Sequence, residues 1–140
     1  MLSPKKVKFR KWQTGRKHPE KRNTPATRGI TVAFGSVGLK AVTPARITSN
    51  QIEAARRVIV RTAGKGAKMW IRIFPDRPIT RKAAEVGMGK GKGDLDHYVA
   101  DVKPGHVMFE VDGTTLALAR AALRKAGMKL PVKVKIVERE

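Results

Sequence analysis

Apolar positions recur along this chain with two periods, and each change of period marks a change of element. Residues 30–34 (ITVAF) form a short apolar run that reads as a strand. Gly35 and Gly38 flank a turn before Leu39–Val42, so a hairpin is expected there. A helix follows. Thr48, Ser49 or Asn50 offers its N-cap, and Glu53 stands three residues after Asn50, as a capping box prefers. Ile52, Ala55, Ile59 and Ala63 fall on one face, Val58 widens the stripe, and Gly64 closes the helix.

From Lys68 the period returns to two. Met69, Ile71 and Ile73 point one way and Trp70, Arg72 and Phe74 the other, until Pro75 and Pro78 interrupt pairing. Tyr98–Lys103 and Val107–Val111 predict two more strands about a Pro104–Gly105 turn. Thr114 or Thr115 caps a second helix lined by Leu116, Ala119, Leu123 and Ala126, with Gly127 as its terminator. In the closing segment from Lys129 to Glu138, Leu130, Val132, Val134 and Ile136 alternate with Lys133, Lys135 and Val137, a half-buried strand. Together these elements predict an α+β fold, two helices packed on one face of a mainly antiparallel sheet. A basic N-terminal extension (1–29) precedes that domain (30–140).

Between the central strand and the next lies a different kind of sequence. Gly87, Gly89, Gly91 and Gly93 take alternate positions, with Met88, Lys90 and Lys92 between them. Such a stretch cannot pack a core and loses much backbone freedom when it orders. It suits a loop that brings bare backbone and two ammonium groups close to something anionic. A solvated hairpin tip is the plainer reading. A phosphate-binding loop fails on spacing: no Walker A arrangement is present, and Lys92 stands where the third glycine of a dinucleotide fingerprint belongs.

Charge decides between the remaining readings. Of 140 residues, 31 are Lys or Arg and 11 are Asp or Glu, a net charge of +20. That much self-repulsion calls for a polyanionic partner, and nucleic acid is the leading one. A membrane fits less well, because no apolar run approaches the roughly 20 residues of a spanning helix. The basic N-terminus lacks the apolar stretch of a secretory signal. With no cysteine, disulfides, thiolate chemistry and cysteine zinc sites are excluded, and a reducing cytoplasmic setting fits. Residues 1–29 carry ten basic side chains (Lys5, Lys6, Lys8, Arg10, Lys11, Arg16, Lys17, Lys21, Arg22 and Arg28) against Glu20 alone. That composition predicts an arm that folds against an anionic surface, with Phe9 and Trp12 as anchors. Arg56, Arg57 and Arg61 give the first helix a basic side. Phe34, Trp70, Phe74 and Phe109 sit beside aliphatic residues and read as core, which leaves few rings for stacking on bases.

Nothing points to catalysis. His18, His97 and His106 lack metal-ligand spacing, and no nucleophile motif or carboxylate cluster is present. Asp94, Asp96 and Asp101 read as ion-pair partners of nearby lysines such as Lys90 and Lys92. A binding protein without a cofactor or metal is expected. A free-standing architectural DNA-binding protein is the alternative, although the first helix offers Arg56 and Arg57 but no dimer seam. Neither helix sets its basic residues opposite a large apolar face, as a membrane-surface role prefers.

The segments MLSPKKVKFRK, FGSVGLKAV, ITSNQIEAARR, KMWIRIFPDRPIT, MGKGKG and LPVKVKIV, in this order over essentially the whole chain, resemble the L sixteen family of bacterial large-subunit ribosomal proteins. The resemblance implies an α+β protein, monomeric within the cytoplasmic ribosome, bound to large-subunit ribosomal RNA and neighbouring ribosomal proteins. It implies that Lys5, Lys6, Lys8, Arg10, Lys11, Arg16, Arg56 and Arg57 contact that RNA. It further implies that Met88, Gly89, Lys90, Gly91, Lys92 and Gly93 form an inward loop near A-site tRNA, helping its acceptor arm to accommodate. Three departures stand out. Gly87 replaces an arginine usual before this loop, Gly64 stands where a basic residue is common, and the arm from Arg16 to Arg28 is diverged.

Overall fold

A computed structural model describes residues 1–13, 24–89 and 91–140. In chain order its elements are β1 (Val37–Ala41), β2 (Ala45–Thr48), α1 (Ser49–Ala63), β3 (Lys68–Ile71), β4 (Arg77–Arg81), β5 (Asp94–Val102), β6 (Val107–Asp112), α2 (Leu116–Gly127) and β7 (Val134–Glu138). The fold is α+β, but the strands form two antiparallel sheets rather than one. One has the order β3-β6-β1-β7 and the other β2-β5-β4. The helices pack on each other; α2 lies on β1, β6 and β7, while α1 reaches β2, β3 and β5. A single helical layer therefore spans both sheets.

Beneath that layer sits the core: Val37, Leu39, Phe109 and Val111 from the larger sheet, Ile47, Ala100 and Val102 from the smaller. From the helices come Ile52, Ala55, Ile59, Ala119, Ala122, Leu123 and Ala126. The expected stripe of α1 is the buried one. Its cap differs. Thr48, in extended backbone, accepts from the Gln51 N–H, and Gln51 returns a bond to the Thr48 N–H. The capping box is thus two residues earlier than Asn50–Glu53, which frees Glu53 for other partners. Thr115 caps α2 as expected, but Leu116 is half exposed and Ala122 takes its place inside. Gly127 is the last helical residue rather than a left-handed terminator; a Cβ there would meet Val134 Cγ2 at 2.6 Å, so α2 needs glycine to approach β7.

Residues 30–34 do not form a strand; they cross the face of the larger sheet that is turned away from the helices. β3 stops at Ile71, although Met69, Ile71 and Ile73 do face the core as their alternation requires. Pro78 lies inside β4, which is tolerated because β4 is a sheet edge and a missing N–H there can face outward. β5 starts at Asp94, earlier than expected, and pairs with β4. The glycine-rich stretch is therefore the tip of the β4–β5 hairpin. β7 begins only at Val134, with 129–133 forming the turn out of α2.

Candidate nucleic-acid interface

The basic arm begins beside the start of α1. Met1, Leu2 and Ser3 line a cavity of about 650 Å³ with Thr48, Ser49, Asn50, Asp96, His97 and Tyr98, and Leu2 packs against the edge of the core. From there Lys5, Lys6, Lys8, Arg10 and Lys11 are all exposed. Lys8 Nζ lies 5.6 Å from the Phe9 ring centre. Trp12 does not face solvent alone. Its ring lies 5.7 Å from the Arg77 guanidinium of β4, and its carbonyl accepts from Lys92 Nζ of the glycine loop. Arg77 is held in turn by Asp101 of β5 at 3.0 Å. The arm thus reaches from the head of α1 to the base of the loop.

The loop's backbone explains its glycines separately. Gly89 and Gly91 have φ of 89° and 91°, where side chains rarely go. Gly93 meets a different demand: a Cβ there would come within 2.7 Å of the Arg81 backbone across the hairpin. Met88, just before Gly89, is 97% exposed. An apolar side chain so fully in water takes no part in the core of this domain.

On α1, Glu53 gathers two arginines. Its Oε1 accepts from Arg56 at 2.6 Å and from Arg57 at 3.2 Å, and Oε2 accepts from Arg56 Nε at 3.0 Å. The bidentate Arg56 bond, with lesser help from Arg57, lowers the Glu53 carboxyl to about 2. The Arg56 guanidinium is held correspondingly more firmly protonated. With 70% of its side chain exposed, Arg57 is the freer of the two.

Two expected residues, Arg16 and Lys90, lie outside the described residues, as do Lys17, His18, Glu20, Lys21 and Arg22. Arm and loop are brought into direct contact; Arg56 and Arg57 are tied to Glu53 instead. Two of the three acidic residues after the loop form ion pairs among the described residues, Asp101 with Arg77 and Asp96 with His97; Lys90, one of the lysines expected to pair with them, lies outside the described residues. Among the described residues no group of three acidic or histidine side chains is placed to hold a metal. None of the helices there is long and apolar enough to cross a membrane.

The aromatic expectation needs correction. Of the four rings read as core, only Phe109 is buried; Phe34 and Phe74 are 56% and 46% exposed, and Trp70 is half-buried. Phe34 stacks on Trp70, with ring centres 6.2 Å apart and planes at 22°. Sequence reading also missed Glu110, buried completely in β6. The signal was present: a carboxylate inside the apolar run VMFEV must either break the strand or find partners.

The sequence profile of the family described as ribosomal protein L16p/L10e matches residues 4–137. Large ribosomal subunit protein uL16 of Sulfurihydrogenibium sp. is 56% identical over 138 residues, covering 99% of this chain and 96% of the relative. The protein of that name from Cereibacter sphaeroides is 53% identical over 140 residues, covering 100% of this chain and 98% of the relative. A third, from Psychrobacter cryohalolentis, is 53% identical with 99% and 98% covered.

Proposed function

Because the chain belongs to the ribosomal protein L16p/L10e family and is a structural constituent of the large ribosomal subunit, not an enzyme, we propose that its arm and glycine loop work as one RNA-facing unit. The arm residues Lys5, Lys6, Lys8, Arg10, Lys11 and Arg16, with Arg56 and Arg57 of α1, bind the phosphates of large-subunit ribosomal RNA. Residues 88–93 reach towards the A site and help the acceptor arm of aminoacyl-tRNA to accommodate. The observation that carries this reading is the junction at which the Trp12 carbonyl accepts from Lys92. Through it, RNA gripped by the arm fixes the base of a loop whose backbone is otherwise costly to order.

Electrostatics supports the same division of labour. Ammonium and guanidinium groups on an extended arm neutralise phosphates without reading sequence. A tip made of glycine backbone can enter a crevice between RNA helices that a branched side chain could not. Gly87 adds no side chain to that tip, so the charge available there is that of Lys90 and Lys92.

Replacing both Lys90 and Lys92 with Ala is expected to slow tRNA accommodation more than it reduces the yield of assembled large subunits. Pre-steady-state accommodation kinetics on purified mutant ribosomes check this. Wild-type rates in fully assembled particles would remove the loop from tRNA handling.

A further inference from the structure

The face of the larger sheet away from the helices carries chemistry that arm and loop do not use. Trp70, Glu110, Gly38 and Val137 form one cross-strand row from β3 to β7. Residues 29–36 cross this face. The Gly29 carbonyl accepts from Val107 N–H at 2.8 Å, Ser36 N–H donates to the Val111 carbonyl at 3.1 Å, and Val32 covers Gly38. Glu110 Oε1 accepts three successive N–H groups, from Ala33, Phe34 and Gly35, at 2.8, 2.9 and 3.2 Å. Its Oε2 faces Arg72 Nε at 3.3 Å, and Arg72 also donates to the Thr31 carbonyl at 2.6 Å. A wholly buried carboxylate thereby fixes the backbone of three successive residues, with Phe34 at their centre.

Yet the Phe34 ring is more than half exposed. It is held against Trp70 on one flank, with the Arg72 guanidinium 5.5 Å from its centre. A ring placed this firmly and left in water is not serving the core. Towards the other edge of the same face, Lys40 of β1 stands directly opposite Lys135 of β7. Like charges in that position oppose pairing, and neither lysine takes part in the ion pairs found among the described residues. Lys133, two residues earlier, is exposed as well. Counted across the strands from Trp70 on β3, Lys40 on β1 is two spacings away and Lys135 on β7 three, roughly 10 and 14 Å.

We propose that this face is a binding site for an unpaired segment of ribosomal RNA, with a base stacking on the Phe34–Trp70 pair and neighbouring phosphates on Lys40 and Lys135. Stacking rings beside backbone-tracking cations are the combination by which proteins hold single-stranded nucleic acid. An acidic protein segment could satisfy the lysines but would leave the clamped aromatic pair without a purpose. The proposal rests on the reading of the chain as an RNA-binding ribosomal protein and adds a second, sheet-borne contact to it.

Zero-length ultraviolet crosslinking of intact large subunits, followed by mass spectrometry of the peptides, tests it. Nucleotide adducts on Phe34 or Trp70 are expected, along with adducts on the arm. Adducts on the arm alone, with Phe34 and Trp70 as open to hydroxyl-radical oxidation as in the free protein, overturn the proposal while leaving arm binding intact. Lysine crosslinks from Lys40 or Lys135 to a neighbouring protein, without adducts on the rings, overturn it in favour of protein docking. No adducts anywhere would instead remove the RNA-binding reading itself, and this proposal with it. As a second measurement, Phe34→Ala should weaken rebinding to subunits stripped of this protein by roughly 5- to 100-fold, and Phe34→Tyr should restore it. Lys40→Gln with Lys135→Gln should reduce the slope of log affinity against log salt by about two. Unchanged rebinding of Phe34→Ala, with its fold verified by thermal melting, overturns the stacking contact.

Discussion

Two carboxylates in this protein show how burial changes what a charge is for. Glu110 is fully enclosed and organises three backbone N–H groups and Arg72. Removing it strands those donors and leaves Arg72, itself largely enclosed, without its counter-charge. Glu110→Ala should therefore cost roughly 3–5 kcal/mol by chemical denaturation, and residues 30–36 should lose amide-exchange protection first. A loss under 1 kcal/mol would mean that the carboxylate is not the clamp. Glu53 is the opposite case, a surface carboxylate lowered to about 2 by Arg56 and Arg57. Its folded value lies below its ordinary 4.5, so the unfolded chain binds more protons between those values. The stabilisation it brings is present above pH 4.5 and is lost as pH falls through about 2. Side-chain NMR titration should find that midpoint, and Arg56→Ala should return it towards 4.5. At this scale the sequence was least informative. Phe34 and Phe74 look like core residues in a linear apolar pattern, because nothing in that pattern tells a ring over a sheet face from one inside it.

The elements were more legible, and the reasons differ by type. Helices carry their own period and caps, so α1 and α2 were expected within a residue or two and with most of their buried positions. What stayed open was which polar residue caps α1: Thr48, Ser49 and Asn50 are all competent, and only the turn geometry selects Thr48, boxed with Gln51 rather than Asn50 with Glu53. Strands depend on partners far along the chain. The residues 30–34 have strand composition, yet Glu110 holds the end of that stretch, Ala33 to Gly35, as a loop; β2 and β4 are short and polar enough to pass unnoticed until β5 pairs with both. The glycine loop was recognisable from composition alone, but its identity as the tip of β4–β5 required that pairing. Gly127 likewise reads as a helix terminator in sequence and proves to be a packing glycine. Gly127→Ala should destabilise the protein by about 1–3 kcal/mol, chiefly by displacing β7 through Val134. A thermal melt equal to that of the wild type would show that Val134 yields without cost.

On the scale of the whole molecule, one helical layer serves two sheets, and the basic surfaces project from the rest. The smaller sheet carries the glycine loop on its β4–β5 hairpin and, through Arg77 and Trp12, meets the arm. The larger sheet keeps its outer face for the clamped aromatic pair and the opposed lysines. A net charge of +20 on so small a body is tolerable when a polyanion surrounds it, which is what the large ribosomal subunit provides. The family was legible from sequence because its motifs run in order along the chain; the arm–loop junction was not, since 80 residues separate Trp12 from Lys92. The most direct test of the account places a photo-reactive residue at Met88, 97% exposed in the glycine loop, in assembled ribosomes carrying A-site tRNA. The account predicts a crosslink from position 88 to the tRNA acceptor arm that disappears when the A site is empty. Crosslinks confined to ribosomal RNA, unchanged by tRNA occupancy, would contradict it.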